Sequence, residues 1–239
     1  MKTALLFDVD DTLIDTRSAM VTAGLAAVGE LWPHLGPDVR RAAAVHFQGD
    51  PGGFFGRFTT GEITYPQMRQ ARVAELLDSF SLAAVDEVNA RFEEAYGPAF
   101  CASVSLFDDV LPLVEAARTG GIPMGLLTNS SSHSTQQKLE LTGLAGVFAV
   151  VATRDTLGFG KPDARAFHHA CRLLGSAPRQ TLYIGDHITI DALAARQAGL
   201  AAVWLQRDPE DSQSAARARA RGIAVISSLG QVPALLTDH

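Results

Sequence analysis

The feature that most constrains the fold is a regular alternation of short apolar runs and amphipathic helices over the second half of the chain. The candidate strands are Met124–Leu127, Val147–Val151, Leu182–Ile184, Ala201–Leu205 and Ala224–Ile226, and the candidate helices between them span 108–119, 134–141, 164–174 and 192–198. Strands that are separated by helices connect through right-handed crossovers. The pattern therefore predicts a parallel sheet with helices on both faces.

A block of purely helical periodicity precedes this region. It covers 16–102, with apolar residues at helical spacing in 19–31, 39–47, 63–77 and 85–96, and with breaks at the GDPGGFFG segment and at Gly97-Pro98. One earlier apolar run, Ala4 to Phe7, indicates a buried strand. We therefore predict an α/β fold: a doubly wound parallel-sheet, Rossmann-like core formed by 1–15 and 103–239, with an inserted all-helical cap domain over 16–102.

Composition restricts the class of protein. The chain has 239 residues, 47% of them hydrophobic, and a net charge of -6, which argues against a nucleic-acid surface. Its longest apolar stretches are too short to span a membrane, and we expect no signal peptide, because the apolar run before Asp8 has only four residues. The two cysteines, Cys101 and Cys171, lie far apart, which predicts neither a disulfide framework nor a zinc site. We expect a cytoplasmic protein, as monomer or dimer, with no nucleic-acid or membrane partner.

Two carboxylates, Asp8 and Asp10, follow the first apolar run directly. A carboxylate at the C-terminal end of a buried parallel strand lies where open α/β sheets bind ligands. Two acids this close favour a bound cation, and the arrangement suits a nucleophile, an acid/base partner and a divalent metal. The alternative interpretation is that the Asp-rich segment only forms a turn or caps a helix.

Polar residues also follow three later candidate strands, at the same predicted edge of the sheet. They are Thr128 with Asn129, Lys161, and Asp186 with Asp191. Thr128 and Asn129 stand where a strand passes into a helix, so that backbone N–H groups converge on an anion. Lys161 is a loop cation of the kind that a phosphate site favours. Oxygen ligands from Asp8 and Asp186 would suit Mg²⁺.

With these four motifs in order, the chain resembles the haloacid dehalogenase (HAD) superfamily, in the branch with a helical cap between the first and second motifs. The resemblance runs from Phe7 to about Leu205. It implies that Asp8 is the nucleophile that becomes aspartyl-phosphate and that Asp10 is the general acid/base. It also implies that the residues at the second and third motifs, Thr128 with Asn129 and Lys161, bind the phosphoryl group.

The same resemblance implies a magnesium cofactor. Asp8, Asp186 and the backbone carbonyl of Asp10 would bind Mg²⁺, and Asp191 would support the site from outside the metal's own ligands. Phosphoryl transfer depends mainly on positioning and on neutralising charge, so a metal, a lysine and a helix N-terminus supply what the reaction needs.

The predicted function is a Mg²⁺-dependent phosphomonoesterase that acts on a small phosphorylated metabolite of FMN, nucleotide or sugar phosphate type. Asp10 argues against a dehalogenase, because a halide leaving group needs no proton. No lysine lies between Lys2 and Lys138, which argues against a phosphonate hydrolase with a cap lysine. A phosphomutase of the same superfamily and a non-hydrolytic phospho-acceptor or regulatory protein remain alternatives.

The Gly-rich break in the helical block is the candidate for substrate recognition. It carries Phe54, Phe55 and Arg57 on a predicted loop. Arg57 would meet an anionic group and the phenylalanines a ring. The alternative is that the phenylalanines pack in the core of the cap and that Arg57 is a solvated surface residue. His187, beside Asp186, is interpreted either as a site residue or as a capping residue.

Overall fold

The computed structural model of the chain describes residues 4–207 and 212–237, which belong to two compact units. The α/β unit comprises Met1–Asp15 and Leu106–His239, and the helical unit comprises Thr16–Ser105. The second boundary between the units lies after Ser105. The sequence predicts it after residue 102, but the last helix of the block continues to Ser103. Within the described residues, no helix has both the length and the apolar character needed to cross a membrane.

The α/β unit contains a six-stranded sheet in which all neighbouring strands are parallel. The strands are β1 (Ala4–Phe7), β2 (Met124–Thr128), β3 (Val150–Thr153), β4 (Thr181–Gly185), β5 (Ala201–Leu205) and β6 (Ala224–Ile226). The helices are α6 (Val110–Thr119), α7 (Ser132–Leu141), α8 (Arg154–Leu157), α9 (Ala164–Leu173), α10 (Ala194–Gln197), α11 (Ser212–Ala220) and α12 (Val232–Thr237), with a π-helical turn at Ile188–Leu193. The predicted doubly wound α/β fold is confirmed.

β1 lies inside the sheet, whose strand order is β3-β2-β1-β4-β5-β6. Phe7, its last residue, is in register with Leu126 on β2 and with Ile184 on β4. The order therefore reverses at β1, with β2 on one side and β4 on the other. Open parallel sheets bind their ligands at such a reversal, outside the carboxyl ends of the strands.

β3 begins three residues later than its apolar run, which was predicted as a strand from Val147. Gly146 has a positive φ of 75° and turns the chain. Phe148 then packs its ring edge against Phe7, with the ring centroids 6.3 Å apart. The first part of the run is therefore apolar because it covers the sheet, and pairing with β2 starts only at Val150.

The helical unit is built from five helices. They are α1 (Thr16–Leu31), α2 (Pro37–Gly49), α3 (Phe54–Thr59), α4 (Tyr65–Ser79) and α5 (Val88–Ser103). Aromatic rings fill its core, where Phe92 lies 4.8 Å from Phe47 and 5.8 Å from Tyr96 between ring centroids. The guanidinium group of Arg69 stacks on the Tyr96 ring at 4.3 Å, so α4 and α5 are joined by a cation–π contact as well as by apolar packing.

One of the two breaks predicted in this unit is confirmed and the other is wrong. Residues 50–53 separate α2 from α3, but the residues predicted on a loop from Phe54 onward are helical, because the Asp50 carboxylate accepts hydrogen bonds from the N–H groups of Phe54 and Phe55, at 3.2 and 2.8 Å. These bonds satisfy amides that the first turn of a helix leaves unpaired. Pro98 lies within α5 and does not end it.

Candidate active site

The carboxyl ends of β1, β2 and β4 bring the predicted polar residues to one edge of the sheet. Asp8 follows β1, and its N–H donates to the Ile184 carbonyl at 2.9 Å, which extends the pairing with β4 by one residue. Thr128 is the last residue of β2, and Asp186 follows β4 directly. Three of the four predicted motifs therefore meet at the reversal of strand order.

A tight turn follows β1. Asp11 adopts a left-handed backbone conformation with φ 58°, which aspartate tolerates better than most residues. The N–H groups of Leu13 and Ile14 both donate to the Val9 carbonyl, at 3.0 and 3.1 Å. Asp10 pairs with Ile14 in an isolated bridge, so that the backbone around Asp10 is held by hydrogen bonds on both sides of the turn.

Lys161 is the central cation of the site. It is 5% exposed, and its Nζ donates to Asp8 Oδ1 at 2.5 Å, to Asp191 Oδ1 at 2.6 Å and to the Tyr183 hydroxyl at 2.9 Å. Burial alone would lower the pKa of Lys161, but the Asp191 and Asp8 carboxylates outweigh it and hold that pKa above its usual range. Lys161 is thus a permanently charged group at the nucleophile position.

Asn129 fixes the backbone of the Lys161 loop. Its Nδ2 donates to the Lys161 carbonyl at 2.9 Å, and its Oδ1 accepts from the Lys161 N–H at 2.8 Å. Gly160 makes this close approach possible, because a Cβ at that position would overlap Asn129 Oδ1. The contacts that the structure gives Asn129 are therefore contacts with the loop, and phosphate binding by its side chain stays a prediction.

The Asp10 carboxylate is held by two residues that follow β2. Ser130 Oγ donates to Asp10 Oδ2 at 2.7 Å, and Lys138 Nζ contacts Asp10 Oδ1. The Ser130 N–H donates to Thr128 Oγ1 at 3.1 Å. This bond occupies an acceptor position of the Thr128 hydroxyl and leaves its proton available as a donor.

Asp191 is enclosed by its neighbours. It lies in the π-helical turn, is fully buried, and would be 2.5 Å from a Cβ on Gly185, measured to its carboxyl carbon. Its Oδ1 accepts from Lys161 and from the Tyr183 hydroxyl, and its Oδ2 accepts from the His187 N–H at 3.1 Å. His187 Nδ1 accepts from the first amides of the same turn, which makes His187 a capping residue.

Carboxylates at this edge could hold a metal ion. One oxygen from each of Asp8, Asp186 and Asp191 lies within 4.8 Å of the others. Burial, together with the neighbouring carboxylates, raises the pKa of Asp8 to about 7 in spite of Lys161. Burial and the charges of Asp8 and Asp191 raise the pKa of Asp186 to about 8. Such acids gain most from a divalent cation, and hard oxygen donors suit Mg²⁺, so the residues fit the predicted cofactor.

The three residues predicted to recognise substrate all lie on α3, in the helical unit. Arg57 makes an ion pair with Glu62, with Nε 2.8 Å from Oε1, and its guanidinium lies 5.9 Å from the centroid of the Phe54 ring. Phe54 is half-buried and Phe55 is 40% exposed. Neither phenylalanine belongs to the buried cluster of this unit. The alternative that they pack in the core is therefore wrong.

Three residues of the site were not assigned from the sequence: Ser130, Lys138 and Tyr183. Ser130 directly precedes Ser131, which caps α7, and a serine at such a position is typical of helix capping. Tyr183 lies within a buried strand, where an aromatic residue is typical of a core. Lys138 did carry a signal, because it shares the buried face of α7 with Thr135 and Leu139, a position that lysine rarely takes unless it is paired.

Comparisons with known proteins identify the family. The model of the haloacid dehalogenase-like hydrolase family matches residues 2–199. The chain belongs to this family, as its motifs predicted.

Individual relatives agree with this assignment. A phosphoglycolate phosphatase of Cupriavidus necator is 29% identical over 235 residues, 98% of this chain and 93% of that protein. A phosphoserine phosphatase of Thermus thermophilus is 36% identical over 111 residues, which are 46% of this chain and 45% of that protein. The solved structure of YfnB from Bacillus subtilis, bound to magnesium, shares the fold, with a TM-score of 0.78, 24% identity and 99% of each chain covered. The predicted class, an enzyme of this family that hydrolyses phosphoric monoesters, is confirmed.

Proposed function

We propose that this protein is a Mg²⁺-dependent phosphomonoesterase that acts on a small phosphorylated metabolite through an aspartyl-phosphate on Asp8. The observation that carries the proposal is the pairing of two carboxylates with two separate cations at one edge of the sheet. Lys161 contacts Asp8, and Lys138 contacts Asp10. A nucleophile and an acid/base residue need different surroundings, and this arrangement supplies them.

The chain's own residues account for both halves of the reaction. In the first, an oxygen of Asp8 attacks phosphorus, the ester bond to the leaving oxygen breaks, and Asp10 gives that oxygen a proton. In the second, Asp10 takes a proton from water, the water oxygen bonds to phosphorus, and the bond between phosphorus and Asp8 breaks to release inorganic phosphate. Thr128 and Lys161 would donate hydrogen bonds to the phosphoryl oxygens.

Mg²⁺ would be held by Asp8 and Asp186 and by the backbone carbonyl of Asp10. When bound, it neutralises charge on the phosphoryl oxygens and on the acidic cluster. Asp191 would support the site, because both of its oxygens already accept hydrogen bonds from Lys161 and its neighbours.

The positions of Ser130 and Lys138 favour a phosphate ester over other substrates of the family. A halide leaves without a proton, so a dehalogenase has no use for an acid at position 10. A phospho-acceptor without turnover needs none either. The two donors on the Asp10 carboxylate hold it in one orientation, as proton transfer to an oxygen leaving group requires.

The chemical type of the substrate is proposed from the sequence and from the relatives. FMN, nucleotides and sugar phosphates were predicted from the sequence, and relatives named for phosphoglycolate and phosphoserine add small phosphorylated acids. Arg57 on α3 would bind an anionic group of such a leaving group. A cytoplasmic location is likewise proposed, and the two free thiols, Cys101 and Cys171, support it.

The test is phosphate release with a panel of phosphorylated metabolites and p-nitrophenyl phosphate, with Mg²⁺ and with chelator. Asp8→Asn should abolish turnover and labelling of the protein by phosphate while circular dichroism stays that of the wild type. Asp108→Asn, which changes an exposed carboxylate of the same unit, is the control and should retain activity. Turnover by Asp8→Asn at the wild-type rate would contradict the nucleophile assignment.

A further inference from the structure

A second buried lysine, Lys138, holds the Asp10 carboxylate from the last turn of α7. It is 2% exposed, and its Nζ donates to Asp10 Oδ1 and, at 3.4 Å, to Ser130 Oγ. Ser130 Oγ donates in turn to Asp10 Oδ2 at 2.7 Å. Both oxygens of this carboxylate are therefore bound by donors from the segment that follows β2.

The burial of Lys138 calls for a physical reason. An ammonium group that leaves water loses hydration energy, and the loss is offset only by a close partner of opposite charge. Asp10 is that partner, although it lies 128 residues away in the chain. Lys161, the other buried lysine in the described part of the chain, contacts a different pair of carboxylates. The two lysines thus serve two separate acidic groups.

We propose that Lys138 is a positioning residue that, together with Ser130, fixes the Asp10 carboxyl group in the orientation from which it transfers protons. This inference rests on the proposed function, in which Asp10 is the acid/base residue. A displacement of about 1 Å in a catalytic group can slow a reaction about 10²-fold. Donors on both oxygens prevent rotation of the carboxyl group, and its about four lone-pair positions leave room for the transferred proton.

A positioning role predicts a loss of rate that depends on the leaving group. The value of kcat/KM reports the steps up to transfer of the phosphoryl group to Asp8, in which Asp10 protonates the departing oxygen. p-Nitrophenolate leaves with little need of a proton, whereas the more basic phenolate depends on one. Phenyl phosphate and p-nitrophenyl phosphate have nearly the same shape, so that their comparison isolates proton transfer.

The first experiment measures kcat/KM for these two substrates with Mg²⁺ present. Lys138→Met should lower the value about 10²-fold for phenyl phosphate and no more than about tenfold for p-nitrophenyl phosphate. Ser130→Ala should show the same preference with a smaller loss. Thr135→Val is the matched control, because Thr135 lies on the same buried face of α7 and its hydroxyl has no hydrogen-bond partner among the described residues. It should leave the ratio of the two values unchanged.

A second experiment combines Lys138→Met with Asp10→Asn. If Lys138 acts only through Asp10, the double variant should lose no more than about twofold beyond Asp10→Asn alone, because the group to be positioned is already gone. A residue that supports the fold or binds phosphate would add its full loss in either background.

The outcomes separate this inference from the proposed function. Equal losses for both aryl phosphates, or additive losses in the double variant, overturn the positioning role. Should Lys138→Met fail to fold, Ser130→Ala makes the same comparison, and a loss independent of the leaving group overturns the role there too. A wild-type protein without activity on either aryl phosphate or on any metabolite of the panel contradicts the proposed function, and the inference falls with it.

Discussion

Replacing Asp186 by asparagine removes one of the carboxylates whose charge a bound Mg²⁺ would offset. In the metal-free protein, burial and the charges of Asp8 and Asp191 raise the pKa of Asp186 from 3.8 to about 8. An acid of this kind binds its proton more tightly in the folded chain than in the unfolded chain. The resulting stability is complete below pH 3.8 and is lost as the pH rises toward 8. We therefore expect Asp186→Asn to stabilise the metal-free protein near neutral pH.

The size of the effect follows from the same values. The pKa of Asp186 in the unfolded chain is 3.8, which lies about 3 pH units below pH 7. Keeping the group protonated in the folded chain at pH 7 therefore costs about 4 kcal/mol, at about 1.4 kcal/mol per unit. Asp186 is half-buried, so solvent screens part of this cost. We expect the variant to gain about 2 kcal/mol in the free energy of unfolding at pH 7, and less than about 1 kcal/mol at pH 4.5.

The assay is urea unfolding followed by circular dichroism in chelator at the two pH values, and again in excess Mg²⁺. In excess Mg²⁺ the wild type should be the more stable protein. A metal that binds only the folded state stabilises it, and the variant has lost one of the carboxylates that bind the metal. Asp108→Asn, which alters an exposed carboxylate of the same unit, is the control. It should change the free energy of unfolding by no more than about 0.5 kcal/mol under every condition.

Two results would refute this reasoning. If wild type and Asp186→Asn are equally stable in chelator at pH 7, the carboxylate is not held at a raised pKa. If Mg²⁺ stabilises both proteins by the same amount, the metal binds elsewhere and Asp186 is not a ligand.

Two further predictions concern the leaving group and the packing of Asp191. Arg57→Ala should lower kcat/KM for the best substrate of a metabolite screen at least about tenfold more than for p-nitrophenyl phosphate, because a contact with a remote part of the substrate matters only when that part is present. Glu62→Gln, which breaks the ion pair but keeps Arg57, is the control. Equal losses of kcat/KM for both substrates in Arg57→Ala would show that Arg57 has a structural role and does not bind the leaving group. Gly185→Ala should destabilise the protein by about 1–3 kcal/mol in urea unfolding and lower phosphatase turnover, since a Cβ would lie 2.5 Å from the Asp191 carboxyl carbon. A variant with wild-type stability and turnover would show that Asp191 can shift without consequence.

Local pattern was sufficient for most of the α/β unit. β5 and β6 have the predicted bounds, and β2 and β4 differ by single residues at their ends. β2 and β4 are buried throughout and β5 over four of its five residues, and a short apolar run between turn signals describes a buried strand well. The predicted start of β3 was wrong because Phe148 is apolar for another reason: it covers Phe7. The apolar character of a side chain indicates that the residue is buried, but not whether it lies in a strand or in a segment that covers the strand.

In the helical unit, the sequence pattern failed to predict one helix. The unit's long helices follow from periodicity, but the glycines of GDPGGFFG suggested a loop where α3 forms. The decisive contact is that of the Asp50 carboxylate with the amides of Phe54 and Phe55. An aspartate before a Gly-rich segment is as typical of a turn as of a helix start. Only the conformation of the segment separates the two.

The sequence by itself determined that Asp8, Thr128 and Asp186 stand at the ends of strands, because a parallel sheet brings all carboxyl ends to one edge. Lys161, also predicted at a strand end, instead follows α8, because β3 ends at Thr153. The tertiary structure alone decided which cation serves which carboxylate. Lys161 contacts Asp8 across 153 residues and Lys138 contacts Asp10 across 128. Such pairs depend on the strand order, on the face of α7 that is buried and on the conformation of a loop. No local pattern in the sequence records these three properties.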